Sequence, residues 1–136
     1  MNQDRKRLKQ EYRMTKRPLG VFLIRNLDND RIFVAGGLEI EKIINRHRFQ
    51  LQAGGHPNKQ LQQDWNRLGA EKFAFEVLDQ IEPRDDPSFD ARRELAFLEE
   101  MWLEKLTPFD EKGYNERPLT REERLRRIAE KSRGQS

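Results

Sequence analysis

The chain contains no cysteine, which removes disulfides, thiolate zinc sites and cysteine nucleophiles from its chemistry. It has no apolar run approaching the roughly 18 residues of a membrane span. Residues 1–17 are charged throughout and lack the apolar centre of a signal peptide. No segment repeats. Apolar residues are scarce, at 35% against 38% charged. A chain of 136 residues with this balance builds one compact domain with a real core and little more, leaving some length as solvated helix or tail. These absences predict a cytoplasmic protein with no membrane role.

Charge is present, and it is unevenly spread. Residues 1–17 carry seven Lys/Arg against two Asp/Glu, and residues 117–136 carry seven against three. The remaining stretch, residues 18–116, holds 13 basic and 19 acidic residues. The basic character therefore belongs to the ends, while the body is acidic. Clustered Lys/Arg attract phosphate, so a nucleic-acid partner would be drawn by the ends. Exposed, salt-rich helices with no partner produce the same pattern.

Residues 1–15 are free of Gly and Pro and rich in helix formers, which predicts a basic helix ended by Pro18 and Gly20. Two short apolar runs, 20–26 and 31–35, flank an Asp/Asn-rich turn and predict a β-hairpin. Gly36 and Gly37 should break the second run. Ile40, Ile43, Ile44, His47 and Leu51 then recur at helical spacing, predicting an amphipathic helix over about residues 38–52. Pro57 is placed to open a further helix with Leu61, Trp65 and Leu68 as its stripe and Gly69 as its end. Phe73, Phe75 and Val77 alternate with Ala74, Glu76 and Leu78 as a third strand would. A polar loop over 82–88 leads to a helix of about residues 89–106 with Leu95, Leu98, Trp102 and Leu106 on one side, stopped by Pro108 and Gly113. Residues 118–132 read as a charged helix, with Thr120 three residues before Glu123 as its start signal. The expected fold is α+β: a small three-stranded antiparallel sheet flanked by helices, with basic helices added at both termini (1–17 and 117–136) around a domain of residues 18–116.

That order, with its opening hairpin, resembles the GIY-YIG nuclease superfamily, in its homing-endonuclease branch. Gly20-Val21-Phe22 stands where the family has Gly-Ile-Tyr, and Phe33-Val34-Ala35 where it has Tyr-Ile-Gly. Downstream, Arg46-His47, Gly55-His56 in the sense of a Gly-x-His, and Leu61-Gln62 followed by Trp65 resemble that branch's usual run. Glu99 to Trp102 matches the Glu-x-x-Trp helix carrying the family's metal-binding glutamate, and Gly113-Tyr114-Asn115 matches its closing Gly-Tyr-Asn. The matched segments run from Gly20 to Asn115.

The departures fall on the chemistry. The family's two tyrosine hydroxyls lie at the reacting phosphate; here the positions are Phe22 and Phe33, which have no hydroxyl to donate, accept or ionise. The arginine that neutralises phosphate falls on Ile43, and isoleucine cannot stand in for it. The resemblance implies a pocket in which Phe22, Phe33 and Ile43 converge around Glu99. Glu99 would supply the carboxylate for Mg²⁺ or Mn²⁺; otherwise it is an ordinary glutamate on a charged helix. His56 approaches a phosphate or shares a proton, or else caps a loop before Pro57. His47 fits the apolar stripe of its helix as a core histidine. Arg46, one turn from Ile43, is the available substitute cation. Asn115 contacts phosphate, braces the site, or terminates a turn. Losing one preorganised charge-stabilising contact costs about 3 to 4 kcal/mol in a transition state, or 10²–10³ in rate.

Three readings follow. The first is a domain with lost or weakened cleavage that binds nucleic acid, DNA foremost, through Arg25, Arg46, Arg48, Lys59 and the basic ends. The second is a working metal-dependent DNA endonuclease with relocated groups, Glu99, His56 and Arg46. The third is a protein-interaction module docking a partner through its terminal helices.

Overall fold

A computed structural model describes residues 17–134; the expected basic helix of residues 1–15 lies outside the described residues. Strand β1 (Leu19–Asn26) runs antiparallel to β2 (Ile32–Gly37) on one side and to β3 (Phe73–Ile81) on the other, giving the order β2-β1-β3. Helices α1 (Ile40–Ala53) and α2 (Lys59–Leu68) lie between β2 and β3 in sequence, while α3 (Ala91–Leu106) and α4 (Arg121–Gly134) follow β3. This is the expected α+β sandwich of sheet and helices, and no helix among the described residues is long and apolar enough to cross a membrane.

Strand β1 is apolar on consecutive residues because both its faces are covered. Phe22 and Ile24 join Ile40, Leu51, Leu61, Trp65, Phe73 and Tyr114 on the α1/α2 side. Leu19, Val21 and Leu23 join Ile32, Val34 and Leu98 on the α3 side. Helix ends are set locally. The Asn58 side chain accepts from the Leu61 amide to start α2, Asp90 does the same from Arg93 for α3, and Thr120 from Glu123 for α4. Gly54 stops α1 in the left-handed conformation at φ 82°.

Two expectations are corrected. Gly36 and Gly37 do not break the hairpin but complete β2, paired with Val21 and Gly20. Their missing side chains leave room for neighbours: a Cβ on Gly37 would press on Ile43 of α1, and one on Gly36 on Leu95 and Glu99 of α3. Val77 does not continue the buried face of β3. A bulge opposite Val21/Phe22 shifts the register, pairing Phe22 with Val77 and Val21 with Asp79. Val77 is left half-exposed and Leu78 packs on the α3 side instead.

The segment after α3 returns to the outer edge of β2. Ile32 donates its amide to Lys112 and accepts from the Tyr114 amide, forming a parallel bridge at Gly113. Only glycine fits there, since a Cβ would overlap the Pro108 carbonyl. This covers an edge that would otherwise be open to pairing.

Candidate functional site

A groove of about 1120 Å³ opens between β2, the start of α2, the 108–115 return and α4. Its floor holds Phe33, His47 and His56, and its rim carries Lys59, Arg117 and Arg127. His47 sits on α1, and His56 in the glycine loop that turns the chain from α1 into α2. Nine residues apart in sequence, the two rings meet with His47 Nδ1 2.7 Å from His56 Nε2.

Proton positions in this pair follow from the third partner. The Asn58 amide donates to His56 Nδ1 at 3.0 Å, so that nitrogen bears no proton. In neutral His56 the proton therefore lies on Nε2, which donates to His47 Nδ1. His47 in turn carries its proton on Nε2. Both rings are held neutral. Burial, then the neighbouring His56 and Arg46, bring His47 down to about 4, and burial lowers His56 as well. Phe22 meets the His47 ring edge-on at 5.3 Å, and Phe33 touches both imidazoles, at 5.6 Å from His47 and 5.5 Å from His56. Four rings thus fill the space under the groove.

Asn115 lines the same groove, but its carboxamide is committed to the edge strand. Its Oδ1 accepts from the Val34 amide and its Nδ2 donates to the Val34 carbonyl, both at 2.8 Å. Of the alternatives the sequence left open for Asn115, bracing is the one these bonds perform.

Phe22, Phe33 and Ile43 do gather, packed in one apolar cluster on the α1/α2 side, but not around Glu99. Glu99 is on α3, across the sheet. Consecutive strand residues point to opposite faces, and here Gly36 faces Glu99 while Gly37 faces Ile43. The two side chains flank the end of β2 from opposite sides. Glu99 borders a second groove with Ala96, Glu100, Leu103, Glu104 and Phe109, and burial raises its pKa. Arg46 is exposed in a third depression with Gly37, Leu38, Lys42 and Ile43. The structure therefore brings His56, His47, Asn115 and Lys59 to one groove, while Glu99 and Arg46 line two others, Arg46 still near enough to His47 for its charge to act on that ring. Among the described residues no three His, Cys, Asp or Glu side chains gather so as to hold a metal ion. Glu99 offers Mg²⁺ one carboxylate, a minority of its six oxygen ligands, so the described residues do not by themselves fit such an ion.

The fold of the chain is shared with solved structures. The catalytic domain of the homing endonuclease I-TevI superposes with a TM-score of 0.59 at 25% identity, over 74% of this chain and 99% of that domain. A Glu-to-Ala mutant of the catalytic domain of intron endonuclease I-TevI matches at 0.59 and 24%, over 76% of this chain and 97% of that one. The chain has a GIY-YIG-like fold. A scan of protein-family models and a search of curated proteins returned no match.

Within this GIY-YIG-like domain the other basic candidates are occupied. Arg25 Nε pairs with Glu76 across β1 and β3 at 3.1 Å, and the Arg48 guanidinium lies 4.5 Å over the Phe75 ring. Sequence reasoning missed a buried polar network beneath the groove. The Tyr114 hydroxyl donates to Asp64 at 2.6 Å and accepts from Asn26 at 2.9 Å; burial, reinforced by Asp64, pushes its pKa up to about 12. Arg31 stacks over the Tyr114 ring at 4.3 Å and donates to the Gly113 carbonyl at 3.0 Å. Arg127 was also missed as an individual residue, although the basic tail was visible as a charge cluster. Lys59 and Arg127 have no ion pair among the described residues, whereas Arg117 pairs with Asp110.

Proposed function

We propose that this GIY-YIG-like domain binds nucleic acid, DNA foremost, in the groove beside the histidine pair, and that its phosphodiester cleavage is lost or much weakened. The observation that carries the reading is the packing of Phe22 and Phe33 against His47, with Ile43 in the same apolar cluster, which sets two phenyl rings and an isoleucine where the resemblance calls for ionisable phenols and a guanidinium. A hydrogen-bond relay that keeps His47 neutral can donate through Nε2 but supplies no positive charge to a developing phosphate dianion. Glu99, His56 and Arg46 border three separate grooves, which favours a silent site over a relocated one. Lys59 and Arg127 on the rim and the basic α4 support a phosphate-bearing ligand.

Duplex DNA binding measured over a salt series tests the binding half. Affinity should fall steeply as salt rises, and Lys59→Glu or Arg127→Glu should weaken binding and reduce the log–log slope by about 1 each. No affinity at low salt, or affinity indifferent to salt, would remove nucleic acid from the account. Nicking of supercoiled plasmid with Mg²⁺ or Mn²⁺ tests the other half. Glu99-dependent nicking, abolished by Glu99→Ala, would overturn the silent-site reading and restore the active endonuclease.

A further inference from the structure

Helix α4 buries none of its residues, yet it carries apolar side chains in register. Leu125 is 57% exposed and Ile128 is 62% exposed. They are three residues apart on a helix, so they form one stripe. Arg121, Arg124 and Lys131 fall on and beside the same stripe at spacings of three, four and seven. Arg127, which lines the groove, lies two residues after Leu125 and so away from it round the helix, but it is three residues after Arg124 and four before Lys131 and neighbours both. Arg124 and Lys131 therefore lie between the apolar stripe and the groove-lining Arg127.

The same chain exposes a second stripe of complementary character. On α3, Leu98 is buried and Leu95, Trp102 and Leu106 are packed against the sheet, which turns Phe97, Glu100, Met101 and Glu104 outward. Phe97 is 64% exposed and Met101 37%. Within the chain α4 does not cover them: the groove next to that face is closed by Phe109 and Pro118, and no α4 residue lines it. Glu100, Glu104, Arg121 and Lys131 have no ion pair among the described residues. One helix thus offers apolar residues beside carboxylates, and the other offers apolar residues beside cations.

We infer that α4 of one copy docks on the outer face of α3 of a second copy, with Leu125 and Ile128 against Phe97 and Met101, and Arg124 and Lys131 against Glu100 and Glu104. The contact is reciprocal, so two such helix pairs close a two-fold dimer and leave no unsatisfied stripe. Burial of the apolar pairs drives the association, and the flanking charges set the partner and register.

Sedimentation of the full chain over a wide concentration range reads the state directly, and the expected result is a transition from one chain to two. Leu125→Asp combined with Ile128→Asp should weaken the dimer at least about tenfold. Neither residue is buried, so thermal unfolding of the monomer should not move. Glu100→Arg with Glu104→Arg should weaken it similarly, and adding Arg124→Glu with Lys131→Glu to the same chain should restore it, because each helix pair regains opposite charges. A chain that stays monomeric at all concentrations overturns the proposal. So does a dimer indifferent to these substitutions, or one that forms only when DNA is added. DNA affinity through Lys59 is a separate readout and does not depend on this outcome.

Discussion

Lowering the pH should weaken the fold through the imidazole pair. Folded His47 has a pKa of about 4, against 6.5 for an ordinary histidine. Between those values the unfolded chain takes up a proton that the folded chain refuses. The stabilising contribution is therefore complete above pH 6.5 and is lost as the pH falls toward 4. A gap of that size on a fully desolvated ring corresponds to roughly 3 kcal/mol. His47 is only half-buried, and solvent screening reduces the figure to about 1 to 2 kcal/mol. His56, lowered by burial, adds with the same sign. The charged neighbour facing the pair is Arg46, whose repulsion of a second cation contributes to the shift; the packed rings of Phe22 and Phe33 do not titrate. Urea unfolding at pH values across this window, for the natural chain and for His47→Gln, isolates the effect. Titration of Glu99 and other carboxylates is common to both and cancels in the difference. The stability advantage of the natural chain should shrink by about 1 to 2 kcal/mol as the pH is lowered. A difference that stays constant across the window refutes the reasoning. So does a ring-nitrogen NMR titration in which His47 changes charge at the ordinary histidine value.

Two further outcomes follow from the polar groups around the groove. Tyr114→Phe removes the hydroxyl joining Asn26 to Asp64 and leaves the buried Asn26 side-chain amide without its acceptor, while Asp64 keeps Arg31 and Arg67, so denaturant unfolding should show a loss of about 1 to 3 kcal/mol. Asn115→Asp keeps an acceptor for the Val34 amide but loses the donor to the Val34 carbonyl. It should cost a similar amount, about 1 to 3 kcal/mol, whereas unchanged stability would mean that Asn115 does not brace β2.

Much of the fold was legible in local pattern. The hairpin was marked by two apolar runs around Asp28, Asn29 and Asp30, and it forms with the turn there. The Ile40–Leu51 spacing gave α1, and Thr120 before Glu123 gave the start of α4 at Arg121. The boundaries of β2 were not legible, because Gly36 and Gly37 read locally as breakers and are kept in the strand by pairing with β1 and by the bulk of Ile43 and Glu99 against them. The fate of Val77 was hidden for a related reason: a bulge is a relation between two strands, and the alternation of one strand carries no record of it.

The candidate site divides along the same line. His56, Asn115 and Lys59 were chosen from motifs far apart in the chain, and one groove contains all three. Glu99 and Arg46 were chosen on the same grounds and lie elsewhere. Sequence alone determined which chemical groups exist here: phenyl rings at Phe22 and Phe33, an isoleucine at position 43, two histidines, and cations gathered at the ends. Those are properties of single residues and need no partner. Only the tertiary structure decided which groups meet. Whether α3 crosses the same face of the sheet as α1, which proton sits on which imidazole nitrogen, and which stripe of α4 faces the groove depend on contacts between segments distant in sequence, where packing and hydrogen-bond geometry act and local periodicity is silent.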